Sequence, residues 1–270
     1  MDSPQEYHAN LAALRWQLEM GATEAIGDAP VNRFEMPDRP PQRKPAGKSA
    51  RKLAPQTASS LAAAPPPPAA IDPVTIAREA AAAAGDLSAL RAALEGFEHC
   101  QLKRGARHTV FADGDPSARI MVIGEAPGRD EDREGRPFVG RAGQLLDRML
   151  AAIHLDRRAE GANGVYITNV LPWRPPQNRE PTPEEMAMLA PFLERHVRLV
   201  APDLLILMGN TPCQALLGRR GITRMRGHWT EALDRPVMPM FHPAYLLRNP
   251  AAKREAWADL LEVQARLRSL

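Results

Sequence analysis

The sequence predicts an α/β protein, a three-layer α/β/α sandwich around a central four-stranded parallel sheet. Four short apolar segments supply the strands: "ARIMVIG" (118–124), "GVYITNV" (164–170), "DLLILMG" (203–209) and "PVMPMFH" (236–242). Segments with helical patterns separate these strands along the chain. Strands that alternate with helices are typical of a parallel sheet that carries helices on both faces.

The helical segments follow in chain order. "TIAREAAAAAGDLSALRAALEGF" (75–97) predicts two helices, because Gly85 interrupts the pattern and Asp86 can cap the second helix. The segments between the strands are "AGQLLDRMLAAI" (142–153), "PEEMAMLAPFLERHVRLV" (183–200) and "TPCQALLG" (211–218). A last helix is predicted for "PAAKREAWADLLEVQARLRSL" (250–270).

The composition changes along the chain and predicts three segments. A short helical segment is predicted for residues 1–27. Residues 28–73 hold eleven of the 27 prolines and are rich in Ala, Lys and Arg, which favours a disordered linker. Residues 74–270 form the expected globular domain. Six basic residues and no acid lie between positions 39 and 52, so the linker and the N-terminal helix are candidates for a protein or DNA contact.

Composition narrows the class of protein. No apolar run approaches the roughly 18 residues of a membrane helix, and the N-terminus lacks a secretory signal pattern, so we expect a cytoplasmic protein. Cys100 and Cys213 are isolated from each other, which predicts neither a disulfide framework nor a zinc site. The net charge of +3 permits a polyanionic partner without requiring one.

Polar residues stand where three of the predicted strands end. Glu125, Asn169 and His242 each follow an apolar run, and the ligand crevice of an open parallel sheet lies at the carboxyl ends of its strands. We therefore expect one crevice to collect these residues. An asparagine can pair with the Watson–Crick edge of a base, and an aromatic side chain such as Phe138 can stack on the base face.

Other chemistries fit the loop after the first strand less well. "GEAPGRDEDREGRPFVGRAG" (124–143) contains neither a GxxxxGK[ST] nor a GxGxxG pattern, and its acids would repel a phosphate. No GxSxG motif indicates a serine hydrolase. Asp130, Asp132 and Glu134 are interpreted as a solvated turn. A lone histidine is more often structural than catalytic, but Tyr245 and Arg248 beside His242 favour a site.

Four ordered motifs carry a family resemblance. They are "GEAPGRDEDREGRPFVGRAGQLLDRML", "VYITNVLPWRPPQNREPTPEE", "GITRMRGHW" and "FHPAYLLRNP". Together they resemble the successive motifs of the uracil-DNA glycosylase superfamily and are most similar to its family 4 type. The resemblance spans roughly residues 90–268 and leaves the N-terminal segments outside.

The resemblance implies an activity and a set of roles. The family excises uracil from DNA by cleaving the N-glycosidic bond of a flipped nucleotide. By similarity, His242 donates a hydrogen bond to uracil O2, and Glu125 either orients water or favours the cationic sugar. Asn169 reads the uracil edge and rejects cytosine, while Phe138 stacks on uracil. Glu131 is a further candidate for the uracil pocket.

The remaining expectations concern DNA and turnover. The loop "TRMRGHW", with Arg226 and Gly227, resembles the segment that enters DNA as the base leaves. We expect a monofunctional glycosylase, because no lysine occupies a motif position suited to Schiff-base chemistry. We also expect it to be monomeric and to need no divalent metal. A uracil-DNA binding protein with little turnover is the alternative, and a nucleotide-processing enzyme is a third. No histidine occurs from residue 117 to 153, which disfavours covalent trapping of DNA.

The chain departs from the family at one site. Family 4 enzymes carry a [4Fe-4S] cluster on four cysteines, and the resemblance places those positions at Phe97, Cys100, Trp173 and Leu189. Only Cys100 is retained, whereas a cubane cluster requires four protein ligands. We therefore expect no cofactor, and we expect the three apolar residues to form a hydrophobic plug beside Cys100.

Overall fold

The computed structural model describes residues 72–270. Ten α-helices lie in this part of the chain: α1 (Pro73–Ala83), α2 (Leu87–Gly96), α3 (Leu102–Gly105), α4 (Arg129–Glu134), α5 (Arg141–Ala151), α6 (Pro183–Val200), α7 (Asn210–Leu217), α8 (Ile222–Met225), α9 (Pro243–Arg248) and α10 (Lys253–Ser269). Six strands accompany them: β1 (Ala112–Gly114), β2 (Ile120–Gly124), β3 (Tyr166–Asn169), β4 (Leu204–Met208), β5 (Thr230–Ala232) and β6 (Arg235–Met240). The expected N-terminal helix and almost all of the expected linker lie outside the described residues.

The strands form one sheet in the order β1-β3-β2-β4-β6-β5. Its four central strands are parallel, as the sequence predicts, while β1 and β5 pair antiparallel at the two edges. The sheet is therefore two strands wider than predicted. Each edge strand has only three residues, "ADG" and "TEA", which are too few and too polar to produce a strand pattern in the sequence.

Helices cover both faces of the sheet, which confirms the three-layer sandwich. Alternate side chains of β2 enter different apolar clusters: Met121 and Ile123 belong to one, and Ile120 and Val122 to the other. Successive side chains of a strand point to opposite faces, so the clusters are the cores on the two sides of the sheet. The first core holds residues of α1, α2, α6 and α7, and the second holds residues of α5, α9 and α10.

Local capping supports the expected helix boundaries. The Asp86 carboxylate accepts a hydrogen bond from the Ala89 amide at 2.8 Å, so α2 begins where the sequence predicts. Helix α6 begins with a reciprocal pair, in which the Thr182 hydroxyl accepts from the Glu185 amide and the Glu185 carboxylate accepts from the Thr182 amide. None of the helices in residues 72–270 combines the length and the hydropathy that crossing a bilayer requires.

Candidate active site

The carboxyl ends of the parallel strands meet at one crevice of about 190 Å³. Gly124 of β2 lies opposite Asn169 of β3 in the sheet register, and Glu125 follows directly. His242 enters from the end of β6. Glu125, Phe138, Asn169 and His242 all line the crevice, so the structure brings together four of the residues that the sequence singles out.

Asn169 lines the crevice and contains an unpaired acceptor. Its side chain is almost fully buried, and Oδ1 has no hydrogen-bond partner within residues 72–270. A side chain at Gly124 would place its Cβ 2.4 Å from this oxygen and 2.5 Å from the Phe138 ring, so position 124 requires glycine. Nearly all buried polar groups in proteins are paired. A donor from outside residues 72–270 would pair this oxygen.

His242 is a neutral imidazole with a fixed proton. It caps α9, where Nδ1 accepts a hydrogen bond from the Ala244 amide at 3.1 Å. Burial, with a smaller contribution from the positive charge of Arg248, lowers the pKa of His242 to about 4. Because Nδ1 accepts, the single proton of the neutral ring resides on Nε2. The imidazole therefore offers one N–H donor at neutral pH.

Phe138 forms a wall of the crevice in an unusual backbone conformation. Its φ of 54° lies in the left-handed region, which residues with a side chain seldom adopt. The ring stacks on the His242 imidazole with a centroid distance of 5.5 Å and an interplanar angle of 28°. The carbonyls of Pro137 and Phe138 both accept hydrogen bonds from Arg157, a residue that sequence reasoning missed.

Glu125 is oriented by a second residue that the sequence does not reveal. The hydroxyl of Thr211, in the first turn of α7, donates to Glu125 Oε2 at 2.7 Å. The backbone carbonyl of Glu125 also accepts from the Leu171 amide at 3.0 Å. These contacts hold the carboxylate at the crevice and leave Oε1 to other donors. A threonine just after a strand is the only signal in the sequence, and it is too common to be informative.

Glu131 lines the crevice, but its carboxylate accepts hydrogen bonds from backbone amides of the surrounding loop. Oε1 accepts from the amides of Val139 and Gly140 at 3.0 and 2.8 Å, and Oε2 accepts from the Gly128 amide at 3.1 Å. These bonds tie the start of α4 to the backbone that follows Phe138. Glu131 therefore braces the loop, and its expected contact with uracil stays a prediction.

The guanidinium of Arg226 makes its contacts within the protein, and its expected role at DNA stays a prediction. It pairs with Asp259 of α10 and donates to the Glu255 carbonyl at 2.9 Å, and its side chain is only 18% exposed. Gly227 has a φ of 73°, and a Cβ there would lie 2.6 Å from Asp259 Oδ1. This loop is thus anchored to the last helix through Arg226, while its neighbour Arg224 is exposed.

The four positions of the family cluster do not fit an iron–sulfur group. Phe97, Cys100, Trp173 and Leu189 are all buried in the first apolar core, and the Trp173 indole donates to the Thr109 hydroxyl at 3.1 Å. Burial raises the pKa of the Cys100 thiol, which disfavours the thiolate that binds iron. Within residues 72–270, no group of three or more His, Cys, Asp or Glu side chains could hold a metal ion.

Comparisons with known proteins identify the family of the chain. Residues 111–261 match the model of the uracil DNA glycosylase superfamily. The chain is 41% identical to a type-4 uracil-DNA glycosylase of Thermotoga maritima over 153 residues, which cover 56% of this chain and 77% of that protein. It is 37% identical to the type-4 enzyme of Archaeoglobus fulgidus, over 61% of this chain and 84% of the relative. A type-5 uracil-DNA glycosylase of Thermus thermophilus is 35% identical over 41% of this chain and 55% of its own length.

Proposed function

The chain belongs to the uracil-DNA glycosylase superfamily, and we propose that the crevice between β2, β3 and β6 is where it hydrolyses the N-glycosidic bond of uracil in DNA. The protein is a uracil-DNA glycosylase of base excision repair. The observation that carries the proposal is that Asn169, whose Oδ1 is buried and unpaired, lines the same crevice as the neutral His242.

Asn169 accounts for the choice of uracil. In uracil, N3 carries a hydrogen and O4 is an acceptor, so the asparagine amide can accept from N3–H and donate to O4. Cytosine has an acceptor at N3 and an amino donor at C4, and both mismatch this amide. A site that leaves its own buried polar groups unpaired rejects the wrong ligand strongly. The unpaired Oδ1 supports this assignment.

His242 stabilises the leaving base. As the bond between C1′ and N1 breaks, its electron pair stays with uracil, and negative charge develops on O2. The Nε2–H of the neutral imidazole can donate a hydrogen bond to that oxygen. Removal of such a donor typically slows catalysis by about 10²–10³-fold. The Phe138 ring stacks on the imidazole and can present an aromatic surface to the base.

Glu125 acts on the sugar side of the bond. The departure of uracil leaves positive charge at C1′ and O4′, and water then adds to C1′ and loses a proton. A carboxylate held by Thr211 can orient that water or stabilise the cation by its charge. No lysine is among the described residues that line the crevice, which supports direct hydrolysis without a Schiff base. The monomeric state and the cytoplasmic location stay predictions.

Cleavage of a uracil-containing oligonucleotide, followed by alkali, tests the proposal. The wild-type chain should produce a break at the uracil position, and His242→Ala and Asn169→Ala should each lose about 10²-fold or more in single-turnover rate. Asn163→Ala changes an exposed asparagine and serves as the matched control. Equal rates in all four proteins would refute the assignment. A gel-shifted complex whose DNA stays intact would instead support the non-catalytic binder.

We also propose that this protein works without an iron–sulfur cluster. The buried phenylalanine, tryptophan and leucine that stand at three ligand positions support this proposal, as does the neutral thiol of Cys100. Iron and acid-labile sulfide should be absent from active protein purified anaerobically. Stoichiometric iron would contradict the proposal and leave the glycosylase assignment intact.

A further inference from the structure

Arg157 is a buried cation, and two of its four acceptors are backbone carbonyls at the wall of the crevice. It lies 19 residues beyond Phe138, in the loop between α5 and β3, and its side chain is 8% exposed. A buried guanidinium persists only where its donors are satisfied. Sequence reasoning did not single it out, because its role depends on contacts with residues distant in the chain.

Four acceptors surround the guanidinium. Nε donates to Asp147 Oδ1 at 2.7 Å, and Nη1 donates to Asp113 Oδ2 at 3.2 Å. Two backbone carbonyls complete the set, because Nη1 donates to the oxygen of Pro137 at 2.9 Å and Nη2 to that of Phe138 at 3.0 Å. The carboxylates neutralise the cation, and the planar fork then holds two successive carbonyls at fixed positions.

Those two carbonyls stand directly before and after the Phe138 Cα, where the backbone has its left-handed φ of 54°. Such a conformation persists only where the surroundings over-determine it. On the other side of the Phe138 carbonyl is α5, where a Cβ at Gly143 would lie 1.7 Å from that oxygen. The peptide is therefore fixed between Arg157 and the first turn of α5, and the Phe138 ring turns to His242 and the crevice.

We propose that Arg157 is a positioning residue for base recognition: it holds the Pro137–Phe138 backbone so that the aromatic ring meets the flipped base. The proposal rests on the proposed function of the crevice. Lysine at this position retains the charge but lacks the planar fork that binds two carbonyls at once. A displacement of about 1 Å in a binding group can cost about 10²-fold in rate.

The test uses the full chain, a uracil-containing oligonucleotide under single-turnover conditions, and inhibition by free uracil. Arg157→Lys should slow cleavage by roughly ten- to a hundredfold and weaken inhibition by free uracil by a similar factor. Arg158→Gln alters the exposed neighbouring arginine and should leave both quantities unchanged. A wild-type rate in Arg157→Lys would overturn the proposal.

A double-mutant cycle separates positioning from a general loss of stability. If Arg157 acts through the aromatic ring, adding Arg157→Lys to Phe138→Ala should change the rate by less than about twofold, because the two substitutions remove one shared contribution. The same fold loss in both backgrounds would overturn the proposal.

A milder substitution decides the matter if Arg157→Lys does not fold. Asp147→Asn weakens the clamp from its half-exposed side, and its smaller loss of rate should also vanish in the Phe138→Ala background. A loss that persists there would overturn the proposal. A wild-type chain that releases no uracil would refute the proposed function itself, a result distinct from each of these.

Discussion

Replacement of Thr211 by valine should slow uracil release while the protein stays folded. Valine matches threonine in shape and removes only the hydroxyl that donates to Glu125 Oε2 at 2.7 Å. A hydrogen bond to a charged group contributes about 1.5–3 kcal/mol, and each 1.36 kcal/mol is a factor of ten in rate. The expected loss in single-turnover rate is therefore about ten- to a hundredfold.

The matched control for this substitution is Thr211→Ser, which keeps the hydroxyl and should retain most of the activity. Both variants are assayed with the same uracil oligonucleotide, and chemical denaturation checks that each is folded. The KM for DNA should change little, because Thr211 is buried behind Glu125 and acts through it. Equal rates for the valine variant and the wild type would refute the view that this hydroxyl orients the carboxylate.

Two further predictions concern stability, and the control variant for the second also tests DNA binding. Burial lowers the pKa of His196 to about 3 and that of His242 to about 4, so both imidazoles are neutral in the folded protein while the unfolded chain protonates them near pH 6.5. The stability that the two neutral imidazoles contribute is thus fully present above pH 6.5 and is lost as the pH falls, by up to about 1.4 kcal/mol per pH unit for each imidazole. Urea denaturation at pH 7, 6 and 5 measures this loss. A free energy of unfolding that does not change with pH would contradict both pKa shifts. Arg226→Gln leaves the buried Asp259 carboxylate unpaired and should lower the free energy of unfolding by about 3 kcal/mol. Arg224→Gln, at an exposed site, should leave stability unchanged but weaken DNA binding at low salt, and equal stabilities of the two variants would refute the anchoring role of Arg226.

The parallel strands and the crevice residues at their ends could be predicted, because both depend on local sequence patterns. A buried strand is a short apolar run, and its end is visible where the run gives way to Glu125, Asn169 or His242. Parallel strands bring such ends to one edge of the sheet. The edge strands β1 and β5 have no such pattern, because three polar or small residues form a strand only when a neighbouring strand is there to pair with them.

The supporting residues could not be predicted, since their roles are set by contacts across long stretches of chain. Thr211 reaches Glu125 over 86 positions, and Arg226 reaches Asp259 over 33. The basic pattern of the 221–229 loop suggests contact with DNA for every arginine in it. Only the packing of α10 shows that one of them neutralises a buried carboxylate while its neighbour stays exposed.

The two cores of the sandwich explain how the cluster ligands and the active site can vary independently. Phe97, Trp173 and Leu189 pack in the first core, whereas Phe138 and the Phe241 that precedes His242 belong to the second. The central sheet separates these cores. If the protein lacks the cluster, as proposed, the apolar side chains at three ligand positions add hydrophobic burial to the core that contains residues of α1, α2 and α6. The proposed absence of the cluster therefore concerns the core on the side of the sheet opposite Phe138 and Phe241.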